Sequence, residues 1–381
     1  MNERVSTPTP CDSTREVYQA AKLAQKDMDT PRAEYLFKIP DPLIKPLYEM
    51  LTDVRDEPIL HLVCNQLMIV IPSVLILYMY NRSHLLGLVY LALNYGLFLQ
   101  RYMLTLHFTE HRPLFKQRYG VLNLIIPYVM CNFYGVPCGF YRLHHVVMHH
   151  VEDNASPGDL TSTEALQRDS FRHFVRYWVR FWLCTWVELP AYAARKGRYA
   201  QASLCVICAV AYWLAVSGLW RINWVATLWS LVVPFFVSTF ALMFGNWSQH
   251  IFVDPDEPHN TYRSTYNCVA CPDNVRTYND GYHIIHHLNS RLHWSELPQR
   301  FIDILGAHDE NDALVFRGIG FFDVGLLVFT RQLGKLATCI VPCGPRQAKR
   351  NHDEWVALLR HRLRPAQAKS SSSPDLRIKT S

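Results

Sequence analysis

The sequence lacks the charge excess that nucleic-acid-binding proteins carry. Its 381 residues include 38 lysines and arginines against 32 acidic residues, which gives a formal net charge of +6. This mild basicity, with a pI near 8.7, suits an anionic membrane surface and falls well short of a nucleic-acid signature. We therefore expect no nucleic-acid partner.

The sequence also lacks a disulfide framework. Five of its eleven cysteines lie inside apolar segments, where a buried thiol is the default: Cys64, Cys131, Cys184, Cys205 and Cys208. The pairs Cys268/Cys271 and Cys339/Cys343 have no convincing partner set for zinc, so we expect loop cysteines in a reducing compartment.

The N-terminus has no apolar run, so we expect no cleavable signal peptide. It carries 11 acidic residues before position 60, which argues against an organelle transit peptide.

What the chain does contain is a set of long apolar blocks between two polar regions. We divide it into a polar cytosolic N-terminal region (1–58), a membrane domain with a cytosolic cap (59–330) and a basic, partly disordered cytosolic tail (331–381). Four segments approach the roughly 20 apolar residues that a membrane-spanning helix needs. These are 61–80, 84–106, 202–220 and 224–245.

The connections between these segments predict the topology. The first two segments are joined by only NRS and the last two by only RIN, so each pair forms a tight hairpin. Both turns then lie on one side of the membrane, and every long hydrophilic piece lies on the other. Lysine and arginine are concentrated on the long-loop side, which we expect to be cytosolic. Basic residues at the third and fifth positions from the C-terminus resemble an endoplasmic-reticulum retrieval signal, so we expect that membrane.

Two further blocks are apolar but interrupted. Residues 121–141 contain several prolines, glycines and asparagines, which favours a shallow or re-entrant segment over a span. Residues 171–193 place arginines and tryptophans on opposite helical faces, which favours a helix in the headgroup plane over a fifth span. The predicted fold is therefore all-α and integral to the membrane. It has four transmembrane helices in two hairpins, interfacial helices and a cytosolic helical cap that holds histidine clusters.

Histidine is concentrated in four short motifs, two of them where the second and fourth segments end and two in the long hydrophilic stretches on the same side of the membrane. The motifs are HFTEH (His107, His111), HVVMHH (His145, His149, His150), NWSQH (Asn246, His250) and HIIHH (His283, His286, His287). Residues i, i+3 and i+4 share a helical face, so each set is expected to aim its imidazoles at one point. His144 could replace His145, but His145 has the better spacing to His149.

Nine imidazoles exceed what one ion takes, since zinc sites use three or four protein ligands. They suit two metals of five or six coordination, and imidazole binds iron, zinc, copper and nickel. A zinc-dependent membrane receptor or transporter is an alternative of another class. That class would place polar residues along the middle of the spans, where only Ser73, Asn94 and Ser230 stand here.

These motifs resemble the histidine boxes of the membrane fatty acid desaturase/hydroxylase superfamily, over roughly residues 60–300. The resemblance implies that the nine histidines hold a non-haem di-iron centre and that Asn246 binds it through water. It also implies that O2 is a co-substrate, that the substrate is a lipid acyl chain, and that the metals carry the hard chemistry. On this basis we predict a lipid desaturase.

The sequence departs from parts of the superfamily. The four-motif pattern is also similar to integral-membrane alkane monooxygenases, so hydroxylation of a lipid or alkane chain remains an alternative. The last box begins with histidine rather than glutamine, unlike in front-end desaturases. No haem-binding HPGG-type segment is present, so electrons must come from a separate donor such as cytochrome b5 with its reductase, or ferredoxin.

The segment after the last motif resembles cytosolic cap structure. Within it, His293, Trp294 and Glu296 are candidates to contact the ligands without binding metal, as is His144 in the second motif.

Overall fold

The computed structural model describes residues 12–31, 34–80 and 82–366, and this part of the chain is mostly helical. In chain order the helices are α1 (Asp12–Asp29), α2 (Asp41–Tyr48), α3 (Glu57–Tyr80), α4 (His84–His111), α5 (140–152), α6 (Phe171–Arg195), α7 (Tyr199–Ile222), α8 (Trp224–Gln249), α9 (Thr261–Ser264), α10 (His283–Leu288), α11 (Leu297–Asp303), α12 (Leu305–Glu310), α13 (Phe321–Phe329), α14 (Leu333–Thr338) and α15 (His352–His361). Strands β1 (Asn267–Val269) and β2 (Val315–Arg317) pair in parallel.

Three helices are long and apolar enough to cross a membrane: Val54–Met79, Tyr199–Ile222 and Trp224–Gln249. They correspond to the first, third and fourth predicted spans. The second predicted span lies within α4, which at 28 residues is long enough. Its polar residues, including Asn94 and Arg101, keep its hydropathy below that of the other three, so four spans are not confirmed.

The two short turns lie together at one end of the helical bundle. The side chain of Ser83 accepts a hydrogen bond from Leu86 N at the start of α4, and Asn223 caps α8 in the same way. Asn223 also donates through Nδ2 to the carbonyl of Leu77 at 3.2 Å. Serine and asparagine are favoured caps because they satisfy the free N–H groups of a first helical turn. The cytosol-side ends predicted for α4 and α8 therefore share the opposite end of the bundle.

The first interrupted block is irregular, as its prolines and glycines predict. Residues 117–134 form 3₁₀ and π turns, Gln117–Leu124, Ile125–Val129 and Met130–Tyr134. Gly135 ends them with a φ of 65°, and a Cβ there would lie 2.2 Å from the Pro234 carbonyl oxygen. Only glycine allows α8 to approach this closely.

The second interrupted block forms α6. Its arginine face is exposed, and its tryptophan face packs on α8, with the rings of Trp178 and Phe240 centred 5.2 Å apart and those of Trp182 and Phe236 5.3 Å apart. This helix is not among the three apolar candidates. Its placement in the headgroup plane stays a prediction.

The chain after residue 249 folds over the ends of α4 and α8 that carry the histidines, and it includes part of the segment predicted as tail. Leu336, Trp355 and Leu359 are buried in the same apolar cluster as Trp247 of α8. At the other end of the sequence, α1 packs on α11. Residues 333–363 are thus folded structure. The stretch predicted to be disordered is residues 364–381, and residues 1–11 and 367–381 lie outside the described residues.

Candidate metal centre

Three helices, α4, α5 and α10, carry eight of the nine histidines to one place, and the ninth stands where α8 ends. His107 and His111 lie on the last turns of α4, and His250 directly follows α8. In α5 the stretch Leu143–His149 is π-helical, so each turn is wider than in an α-helix and residues five apart come close. His145 and His150 illustrate this, since their Nε2 atoms are 3.1 Å apart.

The first ligand group combines α4, α5 and α10. The ring nitrogens of four histidines lie within 4.8 Å of one another: His107, His111, His145 and His286. His150 joins them, because its Nε2 atom lies 3.0 Å from Nε2 of His286.

The second ligand group lies next to the first. Its core is His149, His250 and His287, whose nitrogens also lie within 4.8 Å of one another. His283 is attached to it, with Nε2 3.2 Å from Nε2 of His287. The rings of His150 and His287 are centred 4.9 Å apart, so the two groups form one continuous cluster.

The expectation that each motif aims at one point is wrong for two of the motifs. HVVMHH contributes His145 and His150 to the first group and His149 to the second. HIIHH contributes His286 to the first group and His287 to the second. Adjacent helical residues point about 100° apart. Two neighbouring histidines at the end of each motif therefore direct one ring to the first group and the other to the second.

Carboxylates and a carbonyl oxygen hold the outer nitrogens of the second group. Nδ1 of His149 lies 2.6 Å from Asp159 Oδ2, and Nδ1 of His287 lies 3.0 Å from Asp153 Oδ1. Nδ1 of His250 lies 3.0 Å from the carbonyl oxygen of Ser264. With the proton on Nδ1, each ring donates to its partner and turns the Nε2 lone pair inward, the usual arrangement behind metal-binding histidines.

Sequence reasoning missed these partners. Asp153 and Asp159 lie in the loop after α5, and Ser264 ends α9, fourteen residues beyond His250. No spacing rule links a loop carboxylate to a helical histidine. The only available signal was the presence of two aspartates shortly after HVVMHH.

Burial controls the charge of the cluster. It lowers the pKa of His145, His150 and His286 well below the usual value, and neighbouring histidines add to the effect. For His149 burial also lowers the pKa, but the carboxylate of Asp159 outweighs it and the net shift is upward. Most of these rings are therefore neutral at physiological pH, the state in which imidazole binds a metal.

The arrangement fits metal ions. In the described part of the chain, the inward nitrogens His107 Nε2, His111 Nε2 and His250 Nε2 are buried and have no hydrogen-bond partner. A buried polar atom without a partner is costly, and a bound cation would supply the missing interaction. The two groups give room for two ions, and the ligand roles of the nine histidines remain predictions.

Asn246 and His144 lie beside the cluster. Asn246 donates through Nδ2 to the Tyr177 hydroxyl at 2.8 Å and to the Thr161 carbonyl at 3.2 Å. Its predicted water-mediated role stays a prediction. His144 Nε2 lies 3.1 Å from Thr161 Oγ1, and His144 belongs to neither ligand group.

The three cap candidates contact the chain before α3. Nε2 of His293 lies 3.1 Å from Asp56 Oδ1, and the Trp294 indole donates to the same oxygen at 2.9 Å. Glu296 pairs with Arg55 at 2.5 Å. These contacts fix the cap to the start of the first span.

An apolar cavity of about 410 Å³ runs alongside the histidines. Its walls come from α4, α5, α6 and α8, and the cap closes it with residues 271–281 and 320–322. Four of the nine histidines face it: His107, His145, His149 and His283. A chain lying in this cavity would pass directly beside the cluster.

Comparison with known protein families places this geometry in context. Residues 82–307 match the family model described as fatty acid desaturase, which is more than half of the chain. No curated protein and no solved structure matches the chain significantly.

Proposed function

This chain belongs to the fatty acid desaturase family, and we propose that it is a membrane-bound lipid desaturase. It would use two iron ions and O2 to introduce a double bond into a fatty acyl chain. The observation that carries the proposal is the convergence of nine imidazoles into one cluster, four members of which face an apolar cavity.

The proposed reaction balances over four electrons. Two hydrogens, with two electrons, leave adjacent CH₂ groups as the C=C bond forms, and an external donor supplies two more electrons and two protons. O2 is reduced to two waters. Two iron ions held by the cluster would supply the activation of O2, which no side chain can perform alone.

The protein's own contribution is to position the substrate and exclude water. Apolar side chains of α4, α6 and α8, such as Met103, Phe181 and Leu242, line the cavity and would hold an acyl chain extended beside the imidazoles. Holding one C–H bond near the reacting centre converts a bimolecular step into an effectively unimolecular one.

Hydroxylation on the same scaffold is the second candidate. The spacing of Asn246 and His250, with the three histidine motifs, is also the pattern of alkane monooxygenases. The two outcomes separate in one experiment, in which the purified protein receives a labelled acyl lipid, an electron donor and ¹⁸O₂. A desaturase yields a product two hydrogens lighter without ¹⁸O, and ¹⁸O retained as an alcohol would overturn the desaturase proposal.

Metal identity is tested independently of activity. We propose two irons, and elemental analysis of the purified protein should find about two iron atoms per chain. Zinc at full occupancy with no iron would instead favour the receptor or transporter class.

We further propose a separate electron donor, cytochrome b5 with its reductase, or ferredoxin. We also propose that the protein lies in the endoplasmic reticulum with the histidine cluster facing the cytosol. Protease protection in sealed microsomes tests the orientation, because a tag at the C-terminus should be digested from outside.

A further inference from the structure

Among the described residues, the side chains that line the cavity include acidic residues but no lysine or arginine. The acidic residues are two aspartates, Asp273 and Asp280. An anionic head group placed beside these aspartates would meet carboxylates and no basic side chain, which is unfavourable at low dielectric.

The two aspartates differ in their surroundings. Asp280 is buried, and its Oδ2 accepts a hydrogen bond from Gln249 Nε2 at 3.0 Å. Asp273 is partly exposed, and its carboxylate makes no hydrogen bond or ion pair within the part of the chain that the structure describes. Its Oδ2 lies where a side chain at position 320 would stand, 2.5 Å from the Cβ that Gly320 lacks. Gly320 therefore leaves this carboxylate open to the cavity.

Asp273 lies where the cavity reaches the surface. Phe322, which also lines it, is 44% exposed, and Leu326 one helical turn later is 59% exposed. Both belong to α13, which packs on α8. Exposed large apolar side chains beside an apolar helix are suited to the membrane interface. We therefore expect this mouth to open at the membrane interface and to present an acceptor to a lipid head group.

The basic side chains of Arg276 and Arg101 do not change this charge pattern. Arg276 follows Asp273 on the same loop and is exposed, and Arg101 donates to the carbonyl of Leu97 at 2.6 Å. Neither lines the cavity.

We propose that the substrate carries a non-anionic head group with a hydrogen-bond donor, which Asp273 accepts, rather than a phosphate-bearing carrier. Hydroxyl, amide and amine head groups share this chemistry, whereas a CoA thioester or a phospholipid does not fit it. The inference rests on the proposed function, because it assigns the substrate class of that site.

The test presents one 18-carbon chain on different head groups to the metal-loaded full-length protein. Octadecanol, octadecanamide and octadecylamine are compared with stearoyl-CoA and stearoyl lysophosphatidate. Binding is measured as the rise in melting temperature, and turnover is measured in parallel with an electron donor. We expect the first three to bind at least tenfold more tightly than the two phosphate-bearing probes.

Variants of Asp273 identify the contact and the head group. Asp273→Ala should weaken all three favoured probes about tenfold by raising KM with little change in kcat. Asp273→Asn keeps an acceptor oxygen but no charge, so it should spare octadecanol and octadecanamide and weaken only octadecylamine. Arg276→Gln is the matched control, and we expect it to change nothing.

The possible results are distinguishable. Equal or tighter binding of stearoyl-CoA, weakened by Arg276→Gln, would overturn the head-group inference and leave the desaturase proposal intact. The expected binding order without any turnover would support the inference and count against the proposed reaction. Unchanged binding of all probes by Asp273→Ala would overturn the role of this carboxylate.

Discussion

His149 and Asp159 form a buried pair in which Nδ1 of the histidine lies 2.6 Å from Oδ2 of the aspartate. Both side chains are almost fully buried. The backbone N–H and the hydroxyl of Thr161 each donate to the other carboxylate oxygen at 2.8 Å. The carboxylate is therefore fixed before any metal binds, and it fixes the histidine in turn.

Removing this charge should weaken metal binding at the second group. Asp159→Asn keeps the shape but removes the charge that makes His149 a stronger ligand, and changes of this kind cost about 10–100-fold in metal affinity. We expect about one metal equivalent to be lost after dialysis against a chelator, as measured by elemental analysis. Asp169→Asn, an exposed aspartate in the following turn, is the control and should retain both equivalents.

Histidines inside and outside the ligand groups should differ sharply on replacement. His149→Ala removes a member of the second group, so product formation should be abolished while the protein still extracts and elutes as a folded membrane protein. His144→Ala removes an adjacent ring that belongs to neither group and should keep its metal. Unchanged product formation in His149→Ala would contradict the site.

The N-terminal helix should contribute to the stability of the cap. Asp27 of α1 is buried and accepts hydrogen bonds from Ala270 N at 2.8 Å and from the Tyr282 hydroxyl at 2.7 Å. Asp27→Ala leaves these donors unsatisfied, at a cost of about 1–3 kcal/mol for each buried group. Because these hydrogen bonds are lost, we expect a clear fall in the melting temperature. Tyr282 directly precedes His283, so the change also loosens the segment that begins α10. Asp29→Ala, at an exposed position two residues later, should melt like the unaltered protein.

Filling the cavity should shorten the acyl chain that the protein prefers as substrate. Thr185 on α6 is buried, lines the cavity, and has an Oγ1 atom without a hydrogen-bond partner in the described chain. Thr185→Phe should lower kcat/KM for the longest accepted chains about tenfold or more and spare shorter ones, since overpacking excludes volume. Leu183→Phe places the same ring on an exposed position of α6 and should leave the chain-length profile unchanged. An identical profile in both variants would show that the chain does not reach Thr185.

Much of the helical framework was predictable, because it depends on local composition. Apolar runs predicted four spans, of which three are helices apolar enough to cross a membrane, and the turns NRS and RIN supply Ser83 and Asn223 as the N-caps of α4 and α8. The weaker hydropathy of α4 shows the limit of this reasoning. This helix is long enough to cross a membrane and packs within the bundle, but its polar residues keep it out of the set of helices that are apolar enough to do so.

Packing between distant segments was not predictable. His293 and Trp294 meet Asp56 across more than 230 residues of chain. Arg168 is buried with its guanidinium bound to carbonyl oxygens that include those of Ile251 and Arg362. Such contacts carry no periodic signal, because they depend on where the cap settles on the ends of the spans. Part of the predicted tail proved to be folded for this reason.

The sequence alone determined which nine histidines are candidates to gather, since two of their motifs stand at the ends of apolar helices and the spacing within each motif keeps its members on neighbouring helical positions. Only the tertiary structure decided how they divide into two groups and which carboxylates hold them. That division depends on the wide π turn in α5 and on the angle at which α4, α5 and α10 meet, and neither is encoded in the spacing of residues along one helix.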